Sequence, residues 1–326
     1  MTFYTLQALR FIAAMLVLLF HLTFVSSGYK GVDIFFCISG FVMYYTLFVR
    51  NRPDAIHFIV NRTTKIFFLY WVALAFIILV VPGKLEDLGF KNIILFPGHL
   101  SIIGVSWSLS FELYFYFVVG SCAYLIPRKY NNVLFILLLI TTTVVTAVNQ
   151  YTDVLIGSVI NYGIGPNFWE FLLGILSCYL TVKYHNRLSP KFALTLACIF
   201  LAMFLVISIT YTDPLMFVVY GLLSFLLIFF FTSYEQERKI PKILADLFQI
   251  LGDASYGIYL FGPIITILIE PANLFSKIII ILATIIFSIL FNQLIENKLL
   301  AFVRRSLYTL FPKKSAAPGD PIINKI

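Results

Sequence analysis

Apolar residues in this chain come in long unbroken blocks, without the strict alternation of a half-buried strand or the one-sided stripe of a soluble surface helix. Ten blocks can be marked, near residues 6–26, 31–50, 65–82, 106–126, 133–149, 165–182, 192–210, 214–232, 250–270 and 277–296. Each is close to the roughly 20 residues that cross a hydrocarbon core as a helix. The pattern predicts an all-α, polytopic transmembrane bundle of about ten spans.

Charge tests the count, because basic residues collect in cytoplasmic loops. With a cytoplasmic N-terminus, 18 of the 23 Lys and Arg fall in inner loops or the C-terminal segment, four (Lys30, Lys84, Lys91, Lys277) fall outside, and Arg10 lies within the first span. An even number of spans with both termini inside follows. The first block lacks a basic leader and a small-residue cleavage site, so it is read as a retained helix. Residues 1–300 then form the transmembrane domain, and 301–326 a basic cytoplasmic tail.

Composition narrows the class. Of 326 residues, 61% are hydrophobic and only 12% charged, against a soluble average of roughly a quarter charged. The net charge of +8 tracks the loop bias and forms no basic patch interleaved with exposed aromatics, so nucleic acid is not an expected partner; membrane lipid is. Cys37, Cys122, Cys178 and Cys198 sit in apolar runs without a C-x-x-C spacing or a nearby histidine, and no metal site is expected.

Ionisable groups inside spans are costly and are functional candidates by default. Here they are Arg10, His21, Asp33, Glu112, Glu170, Asp253 and Glu296. Arg10 and His21 are eleven residues apart, which puts them on one helix face and about 16 Å apart along the axis, Arg10 near the cytoplasm and His21 in the outer half. An arginine there suits a phosphate and a neutral imidazole suits a hydroxyl proton; a snorkelling Arg and a helix-bonded His would look the same. Glu112, two turns into the fourth span with Ser108 one turn behind it, is expected at His21's depth, where it either orients the imidazole or forms a structural salt bridge. Trp107 reads as an interfacial anchor. In the second span Asp33 marks the outer end, while Ser39 and Gly40 are either packing or chemistry. Glu170 begins its span near the outer face and is placed on an acceptor cavity. Asp253 reads as an N-cap, and Glu296 as a partner for Lys298 or Arg62. Arg62 and Lys65, three residues apart at Arg10's level, complete a trio of cations suited to a polyanion.

Taken together, L6-Q-A-L-R10 followed by His21, G31-V-D-I-F-F-C-I-S-G-F41, R62-T-T-K65 with Y70-W71, W107-S-L-S-F-E112, F168-W-E-F-L-L-G174 and S255-Y-G-I-Y-L260 resemble the membrane-bound acyltransferase family 3. That family includes O-antigen, exopolysaccharide and nodulation-factor acetyltransferases. The resemblance implies an O-acyltransferase of the bacterial inner membrane, moving an acetyl or other acyl group from cytoplasmic acyl-CoA to a hydroxyl of a lipid-linked or cell-surface saccharide. No permanently bound cofactor is expected, acetyl-CoA being a substrate. The implied catalytic set is His21, Glu112 and Asp33. Arg10, Arg62 and Lys65 hold the CoA phosphates, and Ser39, Trp107, Ser108, Glu170 and Tyr256 contact substrate. The chain departs from the family at Phe261-Gly262-Pro263, where a histidine is common, at Phe67-Phe68, where a proline usually precedes Tyr-Trp, and at Lys65, where a second arginine is common. It looks like the stand-alone membrane type. Two other classes fit buried carboxylates in a membrane bundle: a proton-coupled secondary transporter, which would move solute with no acyl donor, and a non-catalytic partner in polysaccharide assembly, for which His21 would be dispensable.

Overall fold

The computed structural model describes residues 3–49, 55–96, 102–126, 130–151, 165–185, 187–211 and 216–310. Each apolar block coincides with a helix: α1 (Tyr4–His21), α2 (Gly31–Tyr44), α3 (Ala55–Val80), the short α4 (Phe90–Ile93), α5 (Trp107–Leu125), α6 (Asn131–Tyr151), α7 (Pro166–Lys183), α8 (Pro190–Thr210), α9 (Phe217–Glu237), α10 (Lys242–Ile269), α11 (Leu274–Phe291) and α12 (Asn297–Leu310). No strand occurs among the described residues. Among the described residues, eight helical segments are long and apolar enough to cross a membrane. Of the fifth and sixth expected spans, α6 is apolar over Asn131–Val145, and α7, which carries Asn167, Glu170 and Lys183, falls short of that standard. Helix continues through α12 past residue 300, and residues 311–326 of the expected tail lie outside the described residues.

The interior is built around α1, α2, α7 and α10, whose side chains are the most completely buried. Two glycines let α2 and α7 touch backbone to backbone: a Cβ on Gly174 would sit 1.9 Å from the Cys37 carbonyl oxygen, and one on Gly40 2.0 Å from that of Phe171. In lipid, which offers no hydrophobic drive for helix association, such close packing is what holds helices together. Contacts also fix direction. Gly31 lies on Ala13 and Phe3 on Phe41, so α2 runs antiparallel to α1; Gly252 lies on Gln7 and Gly262 on Leu18, so α10 runs parallel to it.

Helix ends need partners for their free amides. At the start of α1 both oxygens of Glu235, from α9, take that role: Oε1 accepts from Tyr4 N (2.7 Å), and Oε2 from Thr5 N (2.8 Å) and Thr5 Oγ1 (2.6 Å). At the other end of the bundle, a 3₁₀ turn at Gly104–Ser106 leads into α5 with Val105 and Ser106 buried, so α5 begins inside the protein. A π-helical turn at Asn292–Glu296 joins α11 to α12 and turns Glu296 into the interior. Asp253 is not an N-cap: α10 starts eleven residues earlier, and its carboxylate accepts from Gln7 Nε2 (3.2 Å) and Gln249 Nε2 (2.7 Å).

Candidate active site

A cavity of about 310 Å³ opens between α1, α2, α3, α5 and α10. Arg10 and Gln7 line it from α1, Ser39 from α2, Arg62 from α3, Ser108, Glu112 and Tyr116 from α5, and Tyr256 and Tyr259 from α10. It therefore gathers two of the three expected cations, one expected catalytic carboxylate and three expected substrate contacts. Its depth follows from the helix contacts. Phe3, Tyr45, Thr46 and Arg62 line the end that the charge bias assigns to the cytoplasm, and Ser108 and Tyr259 the opposite end.

Neither arginine is neutralised by a described residue. Arg10 Nη1 donates to Gln7 Oε1 (3.3 Å), and the Arg62 guanidinium lies over the rings of Phe58 (5.4 Å) and Tyr116 (5.8 Å). Among the described residues neither makes an ion pair. Lys65 differs: its ammonium is 3.2 Å from Glu296, whose other oxygen accepts from Asn292 Nδ2 at 2.8 Å. It does not line the cavity. The π-helical turn that carries Glu296 inward has supplied Lys65 with a counter-ion, one not anticipated from the sequence, where Glu296 was matched with Lys298 or Arg62.

Glu112 is held by two hydroxyls. Its Oε1 accepts from Ser39 Oγ (2.8 Å) and from Tyr116 Oη in a short hydrogen bond. Ser39 is thus a buried-carboxylate partner and more than a packing residue. Tyr116, one turn after Glu112 on the same helix face, was missed by sequence reasoning although its i, i+4 spacing offered the signal. Two helix turns outward of Tyr116, the Tyr259 hydroxyl donates to Val105 O (2.7 Å) and bonds Ser108 Oγ (2.7 Å), closing the cavity at that end.

His21 lies elsewhere. It ends α1, half-buried, with Nδ1 2.8 Å from Val17 O. A carbonyl oxygen only accepts, so Nδ1 carries the hydrogen, and in the neutral ring Nε2 keeps a lone pair for an incoming proton. The following residue but one, Thr23, adopts φ 62° and is tied to α11 through Lys277 Nζ (2.8 Å), whose ammonium also lies over the Phe24 ring. A β-branched residue in left-handed backbone costs of order 1–3 kcal/mol and persists only where surroundings impose it.

The expected pairing of His21 with Glu112 is not present. Glu112 is bound to Ser39, eight residues inward of the Gly31–Ala13 contact, whereas His21 is eight residues outward of it. Counted instead through Tyr259 and α10, the two still differ by at least about 15 Å of helix rise. The cause is the buried start of α5: counting inward from a loop at the membrane surface puts Glu112 too shallow, because Val105 and Ser106 are already deep.

Asp33 and Glu170 form a second cluster away from the cavity. Asp33 Oδ2 is 3.6 Å from Lys30 Nζ, and the Glu170 carboxyl, 1% exposed, lies close enough to that of Asp33 to interact electrostatically, with no hydrogen bond made by its Oε2. Glu170 also fixes its helix to α2 through Cys37 Sγ, which donates to its backbone oxygen (3.0 Å). Trp107 is 41% exposed and packs edge-on against Phe36 and Phe111, outside the cavity lining. Where the family commonly has its late histidine, Phe261, Gly262 and Pro263 are buried, and Leu18 fills the space beside Gly262.

The profile of an acyltransferase domain, acyltransferase family 3, matches residues 3–296. The exopolysaccharide production protein ExoZ of Rhizobium meliloti (strain 1021) is 26% identical over 271 residues, which cover 76% of this chain and 79% of that protein. No solved structure matches the chain.

Proposed function

The chain belongs to acyltransferase family 3, and on that premise we propose that it carries an acyl group, acetyl in the simplest case, from cytoplasmic acyl-CoA to a hydroxyl of a lipid-linked or cell-surface saccharide. The observation that carries the donor half is the pair of arginines, Arg10 and Arg62, lining one cavity without an ion-pair partner among the described residues. Both arginines are partly buried; a cation held in a membrane bundle without a counter-ion attracts an anionic ligand, and the pyrophosphate of a coenzyme is such a ligand. The acceptor half is supported by the relative named for exopolysaccharide production.

In the reaction the acceptor oxygen attacks the thioester carbonyl, its proton passes to His21 Nε2, an ester C–O bond forms, the C–S bond breaks, and the leaving sulfur takes up a proton to depart as the thiol. The acyl carbonyl reaches His21 by passing the Val105–Ser108–Tyr259 hydrogen bonds, which separate cavity from histidine in this conformation. The bacterial inner membrane is the matching location, with donor and acceptor on opposite faces.

The test is His21→Ala in cells of the source organism, read by mass analysis of surface glycans. Loss of the acyl mass, by a factor of about 10² or more for removal of a general base, is expected while the variant stays folded in the membrane at the wild-type level. Undiminished acylation overturns the assignment of His21.

A further inference from the structure

Two tyrosines one turn apart on α10 are treated differently by the protein. Tyr259 spends its hydroxyl on Val105 O and Ser108 Oγ. Tyr256, 8% exposed and lining the cavity, has a buried Oη with no hydrogen-bond partner. A buried O–H left without an acceptor costs of order 1–3 kcal/mol, and it lies where a ligand would supply one.

Glu112 lines the same cavity within electrostatic reach of that hydroxyl. Its Oε1 already accepts two hydroxyls, whereas no donor among the described residues reaches Oε2. The middle of the cavity therefore offers one unused donor and one unused acceptor. Beside them stand Arg10 and Arg62, and towards the outer end, where the Ser108 and Tyr259 hydroxyls are already bonded, the rest of the lining is apolar, with Val32, Phe35, Phe36 and Leu109. A ligand matching this order carries an anion at one end, a group that both accepts and donates in the middle, and an uncharged end.

Resting on the donor reading above, we infer that Tyr256 and Glu112 bind an amide of the pantetheine arm of acyl-CoA, the phenol donating to the amide carbonyl and the carboxylate accepting from the amide N–H. Glu112 is then a donor-binding residue, in keeping with its distance from His21. A carboxylate clamped by two hydroxyl donors cannot swing away, so the acceptor is fixed before the ligand arrives.

The purified protein in lipid nanodiscs tests this with two probes: acetyl-CoA, and adenosine 3′,5′-bisphosphate, which has the phosphates but no arm. Tyr256→Phe keeps the ring and removes the hydroxyl. It is expected to weaken acetyl-CoA binding about fivefold to tenfold, the worth of one hydrogen bond, and to leave the bisphosphate unchanged. Glu112→Gln is expected to show the same selectivity, and Arg10→Ala to weaken both probes. Tyr256→Phe binding both probes as wild type does, or losing both equally, overturns the amide assignment while the donor reading stands. Wild-type protein that binds neither probe overturns the donor reading and the assignment with it. Competition by a free saccharide for the Tyr256 hydroxyl, lost in Tyr256→Phe, also overturns it by naming the acceptor as the occupant.

Discussion

The cavity and the Lys30–Asp33–Glu170 cluster both put charge inside the bundle, yet only in the second does a cation face a carboxylate among the described residues. Lys30 has Asp33 at 3.6 Å and the rings of Tyr29 and Tyr220 beneath its ammonium. Two carboxyls within reach of each other and one ammonium beside them make a group that is neutral when the carboxyls share a proton. Arg10 and Arg62, by contrast, have a glutamine and aromatic faces for company. In a membrane interior, charges that satisfy each other hold helices, and charges left unsatisfied mark where something binds. Asp33 and Glu170, taken from the sequence as catalytic and substrate-binding, sit in the first kind of place.

The sharpest way to break this distinction is Lys30→Met. It leaves a buried carboxylate without its cation, and removing one partner of a buried pair costs about 3–5 kcal/mol; a markedly lower melting temperature in detergent is expected, with loss of folded protein. Arg10→Ala and Arg62→Ala should do the reverse. Relieved of an unpaired cation, either variant keeps a melting temperature at or above wild type while donor binding falls tenfold or more, read by titration with acetyl-CoA. A large loss of stability in these would show that the arginines belong with the structural cluster. The smallest effect is expected for Glu170→Gln, which keeps the shape and leaves Lys30 paired with Asp33. A shift under about 1 kcal/mol is expected, and acylation by that variant should stay within a few-fold of wild type.

Much of this was legible in the sequence, and the failures have physical causes. Spans show in sequence because lipid demands unbroken apolar helix, and Arg10 stands out because nothing in a loop-charge rule puts a cation inside a span. Depth was the weak point. The apolar run Ile102–Ile103 before Gly104 gives no sign that the chain dives inward before α5 begins, so Glu112 seemed level with His21. Partner choice was the other. Lys65 and Glu296 meet through a π-helical turn, and one extra residue in a turn changes which face a carboxylate presents. Ser39 looked like a spacer because small residues usually are, and only its neighbour across the helix interface makes it a ligand for Glu112.

The carboxylate of Glu235 at the start of α1 bears on the order of assembly. Synthesis delivers α1 to the membrane well before its partners: the acceptors for its leading amides lie 230 residues later, and the helix packed along its length, α10, is made later still. Until then the segment bearing Arg10 and His21 has neither its end satisfied nor its long face covered. α1 is therefore fixed long after it is inserted, and the machinery it carries exists only once α9 and α10 have been made.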